Sequence, residues 1–352
     1  AEGSHSPAPA ATASRRGPCG RRRTGYSCMC NYLRRAEEAI GLQLEGMHHV
    51  TMITGDARAT VRFYAEVLGL RIVKKTVNFD APEAYHLYFG DERGAPGSIL
   101  TWFEFPGAGR GRAGAGMIHT IQLGVATPAA LGFWERRLGE HGHASERSER
   151  GLRFADHDGL AFELVVADDG NPPLRAEHPE IPAEHAITGV EGARAYAHFW
   201  NAEETVLTEA LGFAWLGGGE YRLDGERRHF HWAYDPPPPA IGRQGAGTVH
   251  HIAWASQDDD HLAWQERVRE AGGLVTDVRD RTYFRSIYFR EPRGVLFEIA
   301  TLSPGFAVDE PPDRLGEELR LPPQHEHLRE RLERTLTPLE NPRALRREQA
   351  PA

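Results

Sequence analysis

The chain alternates between two patterns of hydrophobic and polar residues. Short runs with a period of two are typical of β-strands, and longer runs with apolar residues every three or four positions are typical of helices. Two of the short runs are near copies, MHHVTM at residues 47–52 and VHHIAW at 249–254. Acidic residues that can cap a helix follow both runs, and glycines stand where the helical stretches end. These two strands therefore indicate an internal repeat.

Four copies of one unit, a strand, a helix and further strands, fit this pattern. In the first unit, the strand 47–54 precedes a helix that Asp56 caps and Gly69 ends. In the third unit, we expect Asn201 to cap a helix that runs to Leu211. The predicted strands are 47–54, 71–79, 84–90 and 98–105 in the first unit; 117–123 and 160–165 in the second; one within 186–199, 213–223 and 227–234 in the third; and 249–255, 274–279, 284–290 and 294–300 in the fourth.

Four βαβββ units in two pairs predict an α+β protein with two half-barrel, mostly antiparallel sheets and helices on their outer faces. We expect an N-terminal domain at residues 45–168, a linker with several prolines at 169–185 and a C-terminal domain at 186–303. A tail follows at 304–352. Residues 1–44 show little apolar periodicity and are predicted to be a disordered extension.

The composition narrows the classes of partner. A hydrophobic fraction of 40% and a charged fraction of 26% are those of a soluble globular protein. The net charge of −9 argues against nucleic acid as a partner, and the chain contains no apolar run long enough to span a membrane. All three cysteines lie within the first 30 residues, so the predicted domains contain no disulfide, which fits the reducing cytoplasm. The sequence leaves open whether the protein is a homo-oligomer.

Three potential metal ligands stand inside apolar strands, where an ionisable group is costly unless it is paired or bound to a metal. His49 and His251 occupy equivalent positions in the first strands of units one and four, and Glu298 lies in the last strand of unit four. Two histidines and one carboxylate form the facial triad of non-haem Fe(II) sites, which leaves open positions for substrate and oxygen. We therefore predict that units one and four share one half-barrel, where the three side chains meet.

The ordinary alternative is that each of these residues is structural, as a single histidine on a strand usually is. Two histidines at equivalent repeat positions, with a glutamate in a suitable strand, favour the metal site. Thr101 stands in the last strand of the first unit. Units two and three offer only Glu163, which we interpret as a solvated or hydrogen-bonded carboxylate.

Five further residues lie near the predicted ligands in sequence or in the strand pattern. Neighbours in a strand point to opposite faces, so His48 and His250 are not expected to bind the metal themselves. Each is interpreted either as a packing residue or as a partner of the ligand beside it. Thr51 shares the face of His49. Tyr288 lies one strand before Glu298, and Arg281, in the loop before that strand, could reach an anionic oxygen.

Six short segments together carry a family resemblance. They are Met47–Thr51, Tyr85–Glu92, Pro96–Ser98, His250–His251, Gly294–Glu298 and Leu321–Gln324. In these segments the sequence resembles the vicinal-oxygen-chelate superfamily, also called the glyoxalase/bleomycin-resistance/extradiol dioxygenase group. It is most similar to the hydroquinone-type ring-cleaving dioxygenases. The resemblance implies that Fe(II) is bound by His49, His251 and Glu298, and it matches five residues to positions around the metal: His48, Thr51, His250, Arg281 and Tyr288.

The resemblance also implies an activity, the opening of a hydroquinone or catechol ring by O2. The expected partners are a small aromatic substrate and O2, and Mn(II), which favours similar ligands, is an alternative to Fe(II). One rival is a glyoxalase-type lyase or isomerase, but such enzymes usually have a fourth ligand where Thr101 stands. A second rival is a non-catalytic protein that binds a drug or an aromatic compound, but such proteins usually lack the triad.

Overall fold

The computed structural model describes residues 41–167 and 170–349. The described residues from Gln43 onwards form one compact unit. Residues 1–40 of the predicted N-terminal extension lie outside the described residues, and Leu44 at the end of the extension is buried. The division into two domains, at 45–168 and 186–303, stays a prediction.

The described residues form sixteen strands arranged in two sheets of eight. The strands are β1 (Met47–Thr54), β2 (Arg71–Val77), β3 (Tyr85–Gly90), β4 (Ile99–Glu104), β5 (Met117–Val125), β6 (Ser145–Arg147), β7 (Gly151–Ala155), β8 (Ala161–Val166), β9 (Ile187–Tyr196), β10 (Ala214–Gly217), β11 (Glu220–Asp224), β12 (His229–Asp235), β13 (Thr248–Ser256), β14 (Arg279–Asp280), β15 (Arg285–Arg290) and β16 (Leu296–Thr301). Their spatial order is β14-β15-β16-β13-β1-β4-β3-β2 in the first sheet and β10-β11-β12-β9-β5-β8-β7-β6 in the second.

The two sheets confirm the predicted fold class and the predicted pairing of units. Units one and four make the first sheet, and units two and three make the second. Within each unit the first and last strands are parallel neighbours, as in β1 with β4 and β13 with β16, and the remaining pairs are antiparallel. The central antiparallel pair β1 and β13 joins units one and four, so the two histidine-bearing strands are direct neighbours.

The helices are short, and several begin and end as the sequence predicts. Asp56 caps the first helix, because its Oδ1 accepts a hydrogen bond of 3.0 Å from the backbone N–H of Ala59. Gly69 ends that helical stretch at φ +72°. The helices are Ala57–Val61, continued as a π-helix over Arg62–Val67, then Pro128–Glu140, the π-helical Val206–Ala210, His261–Glu270, Arg329–Thr335 and Pro342–Gln349, with 3₁₀ turns at Phe306–Val308, Pro312–Arg314 and Pro323–Leu328.

Two predicted elements are wrong, and the predicted single strand 213–223 is divided into two strands, β10 and β11. No helix begins at Asn201; a helical turn forms only at Val206–Ala210. The guanidinium of Arg293 donates to the backbone carbonyls of Phe199 and Ala202, so the chain before Val206 is held by this side chain instead of by helical hydrogen bonds. The predicted strand at 274–279 is reduced to Arg279–Asp280.

The C-terminal tail packs against the first unit. Phe306 and Leu315 are buried in one cluster with Tyr88 and Tyr283 of the first sheet and its loop. The fully buried ammonium group of Lys74 contacts the carboxylates of Asp309 and Glu310 in this tail. The described part of the tail therefore belongs to the folded structure. Every helix in the described part of the chain is too short or too polar to cross a membrane.

Candidate metal centre

The structure brings the three predicted ligands together at the middle of the first sheet. The Nε2 atom of His49 lies 3.3 Å from Oε2 of Glu298, and Nε2 of His251 lies 2.8 Å from the same oxygen. The two Nε2 atoms are 3.4 Å apart, and all three side chains are buried. Adjacent ligand atoms of an octahedral ion with bonds near 2.1 Å are expected to be about 3 Å apart. The triangle of donor atoms therefore has the dimensions of a facial set.

The carboxylate of Glu298 supplies a second indication. Oε2 is fully buried against the two imidazoles, and it lacks a hydrogen-bond donor when both rings carry their proton on Nδ1. A buried carboxylate oxygen without a donor is costly. An ion bound between the three donors would satisfy it, so the residues present fit a divalent metal.

The histidines that precede the two candidate ligands hold the ligand rings. Nδ1 of His48 lies 2.9 Å from Nδ1 of His49, and Nδ1 of His250 lies 2.7 Å from Nδ1 of His251. Because Nε2 of each candidate ligand faces the metal position, its Nδ1 carries the proton and donates it to the preceding histidine. Burial, followed by the neighbouring imidazole, lowers the pKa of both His48 and His250 to about 3, so both rings are neutral acceptors.

Glu298 is oriented by strand β15, which pairs with β16. Ser286 donates a hydrogen bond of 2.5 Å to Oε1 of Glu298, which leaves Oε2 directed towards the histidines. Tyr288 stands directly opposite Glu298 in the strand register. Sequence reasoning missed Ser286, although it lies two residues from Tyr288 and therefore on the same face of the strand.

A cavity of about 220 Å³ opens beside the three candidate ligands. Its apolar walls are six aromatic side chains: Phe79, Tyr88, Phe103, Phe105, Phe284 and Tyr288. Arg281, in the loop before β15, is the cation of the lining. Its Nε donates to the hydroxyl of Tyr288 at 3.2 Å, and one terminal nitrogen donates to Oδ2 of Asp80 at 3.1 Å. The cavity thus combines aromatic walls with one partly neutralised positive charge.

Thr51 connects the metal position to a chain of buried hydrogen bonds. Its Oγ1 lies 3.0 Å from Nε2 of His251 and 3.1 Å from Oγ1 of Thr101, which donates to it. Thr101 is in turn 2.7 Å from Nε2 of His86, and Nδ1 of His86 is 2.9 Å from the hydroxyl of Tyr88. The sequence analysis assigned no role to His86. The alternation of Tyr85, His86, Leu87 and Tyr88 along β3 was the available signal.

The second sheet has the corresponding first-strand positions without the two histidines. Gln122 pairs with Gly192 there, as Thr51 pairs with His251 in the first sheet. A Cβ atom at Gly192 would lie only 2.5 Å from Oε1 of Gln122, so a histidine cannot be accommodated without rearrangement. The second sheet is therefore not a second copy of the site.

Glu163 is satisfied by hydrogen bonds, which confirms its structural interpretation. Its carboxylate accepts from the side chains of Ser148 at 2.6 Å, Gln122 at 3.0 Å and Arg153 at 3.2 Å.

Comparison with known proteins connects this geometry to a family. Residues 46–164 and 183–299 match the Glyoxalase/Bleomycin resistance protein/Dioxygenase superfamily. The chain is 41% identical to MhqO of Bacillus subtilis (strain 168), named as a candidate ring-cleaving dioxygenase, over 84% of this chain and 96% of that protein. It is 32% identical to a chlorohydroquinone/hydroquinone 1,2-dioxygenase of Sphingobium indicum, again over 84% of this chain and 96% of the relative.

A solved structure gives the same result at the level of the fold. The crystal structure of a candidate dioxygenase from Bacillus subtilis superposes with a TM-score of 0.78 at 39% identity. The match covers 85% of this chain and 98% of the other, so almost the whole of that protein has its counterpart here.

Proposed function

The chain belongs to the Glyoxalase/Bleomycin resistance protein/Dioxygenase superfamily, and on that basis we propose that it is a ring-cleaving dioxygenase that opens a hydroquinone or catechol ring with O2 in an extradiol-type, Fe(II)-dependent reaction. The observation that carries the proposal is the triangle of His49, His251 and Glu298 at the floor of an aromatic cavity. In this proposal the three residues bind the metal, and the aromatic walls receive the substrate ring.

Each group around the cavity has a distinct role in this reaction. Fe(II), when bound, lets electrons pass from the aromatic ring to dioxygen, a reaction that spin conservation forbids without a metal. Arg281 offers a positive charge to the substrate oxyanion and lowers the pKa of the substrate hydroxyl. The hydroxyl of Tyr288, held by Arg281 at 3.2 Å, is placed to orient the substrate or to move a proton. His48 and His250 keep the ligand imidazoles in one orientation.

The position of Thr101 argues against the glyoxalase-type alternative. Its hydroxyl is occupied with Thr51 and His86, at 3.1 Å and 2.7 Å, and a threonine is a poor substitute for the carboxylate expected there. A protein that only sequesters aromatic compounds would have no need of a buried carboxylate oxygen directed at two imidazoles.

Oxygen uptake tests the proposal directly. The full chain is loaded anaerobically with Fe(II), or in parallel with Mn(II), and presented with substituted hydroquinones and catechols. We expect oxygen consumption equal to the substrate consumed, with both oxygen atoms in an opened product by mass spectrometry. Glu298→Gln should lose metal and activity together, whereas Glu163→Gln in the second sheet, the matched control, should retain both. If the metal-loaded protein consumes oxygen with neither hydroquinones nor catechols, the proposal is overturned.

A further inference from the structure

The loops at the two edges of the first sheet meet over the cavity. Strands β2 and β14 are the outermost strands of this sheet; Asp80 follows the first of them, and Arg281 follows the second. A terminal nitrogen of Arg281 donates to Oδ2 of Asp80 at 3.1 Å, and the guanidinium lies 5.4 Å from the centre of the Phe79 ring. Since the candidate ligands stand on the inner strands β1, β13 and β16, the cavity has the ligands at its floor and these edge loops at its rim.

A hydroquinone that fills this cavity has two oxygen atoms to place. They stand on opposite carbons of the ring, so an oxygen that faces the candidate ligands directs the other one towards the rim. Most of the surrounding wall is aromatic and offers no hydrogen bond. Because a hydroxyl group that is buried without a partner costs free energy, the rim has to supply a polar group if this second oxygen is to be favoured.

Most polar side chains of the cavity wall are already committed. Both nitrogens of His86 lie within hydrogen-bond distance of neighbouring hydroxyls, at 2.7 Å and 2.9 Å. Arg281 donates to the hydroxyl of Tyr288 at 3.2 Å, and in the proposed reaction its charge serves the substrate oxyanion. His250 adjoins the candidate ligand His251 and therefore belongs to the floor.

Asn78 is a rim residue whose side chain has an unused donor. It is 9% exposed and lines the cavity. Its Oδ1 accepts a hydrogen bond of 2.9 Å from the backbone N–H of Asp80, and because a backbone N–H can only donate, this contact fixes which end of the amide is the oxygen. The Nδ2 of Asn78 makes no hydrogen bond within the described part of the chain, so its two N–H groups are left for the cavity.

The turn that contains Asn78 holds this amide in place. The backbone N–H of Asn78 donates to the carbonyl of Ala84 at 2.8 Å, and its carbonyl accepts from the N–H of Ala81 at 3.3 Å. From the C-terminal tail, Nε2 of His325 donates to the carbonyl of Phe79 at 2.9 Å. A donor that is fixed before the ligand arrives loses less entropy on binding.

We propose that Asn78 determines which rings the cavity accepts, because its Nδ2 donates a hydrogen bond to the ring oxygen opposite the one that faces the candidate ligands. A second hydroxyl at that position pairs with the amide, whereas a hydrogen or a methyl group leaves the donor unpaired. Asn78 takes no part in breaking bonds, so its role is in specificity and not in the chemical step. The inference rests on the proposed function and adds the group that recognises the far end of the substrate.

Anaerobic binding tests the inference without turnover. The Fe(II)-loaded full chain is titrated by calorimetry, in the absence of oxygen, with hydroquinone and with 4-methylphenol, which has a methyl group in place of the second hydroxyl. Asn78→Ser removes the amide but keeps a hydroxyl that can accept from the N–H of Asp80. We expect the preference for hydroquinone over 4-methylphenol to fall by about 3- to 10-fold in Asn78→Ser, the effect of one neutral hydrogen bond.

A second variant reverses the direction of the hydrogen bond. Asn78→Asp keeps an oxygen for the turn but has no N–H group, so its carboxylate can only accept. Hydroquinone can donate to this carboxylate, whereas 4-methoxyphenol, whose second oxygen carries no hydrogen, cannot. We expect the preference for hydroquinone over 4-methoxyphenol to rise by about 10-fold in Asn78→Asp relative to the wild type.

Asn201→Ser is the matched control, since Asn201 is an exposed asparagine of the third unit. It should show the wild-type ratios with all three phenols. Metal content and melting temperature identify any variant that fails to fold.

The outcomes separate this inference from the proposed function. Wild-type ratios in Asn78→Ser and Asn78→Asp would overturn the role of Asn78 while oxygen uptake with hydroquinone still supports a dioxygenase. Oxygen uptake with catechols alone would also overturn it, because a catechol has no oxygen at the opposite position of the ring. Absence of oxygen uptake with every hydroquinone and catechol would instead overturn the function on which the inference rests.

Discussion

The candidate ligands are each held by one neighbouring side chain, and Ser286 does this for Glu298. Its hydroxyl donates to Oε1 at 2.5 Å, and both residues are completely buried. Groups that orient a metal ligand commonly contribute 10- to 100-fold to metal affinity. The strength of the metal site therefore depends on a residue that does not touch the metal.

We predict that Ser286→Ala weakens Fe(II) binding by about 10- to 100-fold without unfolding the protein. The carboxylate of Glu298 would lose the donor that fixes its orientation. Metal titration with a competing chelator measures the effect. Ser148→Ala, which removes the corresponding donor to Glu163 in the second sheet, is the control and should leave Fe(II) affinity unchanged. Equal affinity in Ser286→Ala and the wild type would contradict this role.

Tyr288 and Arg281 should affect different kinetic constants. Tyr288→Phe keeps the ring and removes one hydroxyl, so metal content should stay normal while kcat falls by about 10²- to 10⁴-fold if that hydroxyl moves a proton. Arg281→Met removes the charge that attracts the substrate oxyanion and should chiefly raise KM. Steady-state kinetics with measured iron content distinguishes the two. Full activity of iron-loaded Tyr288→Phe would make Tyr288 a packing residue.

At the scale of single residues, the sequence predicts the metal ligands better than the side chains around them. His49, His251 and Glu298 stand out because a charged or titratable group inside an apolar strand is conspicuous. Ser286 and Thr101 are small polar residues that are ordinary in strands, and only the pairing of β15 with β16 and of β3 with β4 shows what they contact.

Among the elements, the C-terminal tail is the one whose packing the sequence predicts least. Its 3₁₀ turns have no sustained apolar period, so the sequence analysis could give it no partner. In the structure, the Phe306 ring lies 5.0 Å from the ring of Tyr88 and 5.2 Å from that of Tyr283. The long strands, by contrast, follow from their alternation, which is why the sequence predicts the ends of β1, β13 and β15 to within one residue.

We predict that Phe306→Ala lowers the free energy of unfolding by about 3–5 kcal/mol, as expected for removing a buried aromatic ring. Val308 in the same 3₁₀ turn is 53% exposed, so Val308→Ala should change stability by less than about 0.5 kcal/mol. Urea unfolding of both variants provides the measurement. Similar stability losses for the two would show that the tail is not packed as described.

The whole molecule depends on how its two sheets are joined, and Glu291 provides one such contact. It lies in the turn between β15 and β16, and its carboxylate accepts a hydrogen bond of 3.0 Å from the hydroxyl of Tyr234 on β12 of the other sheet. Burial raises the pKa of Glu291 to about 7. The repeat predicted which strands pair within each sheet, but contacts between turns of different sheets leave no periodic trace in the sequence.

This pKa predicts a pH-dependent stability. The unfolded chain releases the Glu291 proton near pH 4.5 and the folded protein near pH 7, so the folded state binds more protons between these values and stability falls as pH rises through this window. The loss is on the order of 3 kcal/mol. Unfolding of the metal-free protein at pH 5 and pH 7 should show it in the wild type and in Glu149→Gln, an exposed control, but not in Glu291→Gln. A parallel pH dependence in all three would assign it to other groups.

Metal removal should affect the molecule as a whole, because the ligands come from β1, β13 and β16 and therefore tie the first and last units of the fold together. An ion that binds only the folded state at 100 times its Kd adds about 2.7 kcal/mol to the free energy of unfolding. Since the described residues from Gln43 onwards form one compact unit, we expect a single thermal transition whose midpoint falls when Fe(II) is removed with a chelator under anaerobic conditions. Calorimetry measures this shift.

Glu298→Gln should melt at the same temperature with and without chelator, whereas Glu163→Gln should respond as the wild type does. A chelator that moves only part of a biphasic transition would show that the two sheets unfold independently, and the metal would then stabilise the first sheet alone.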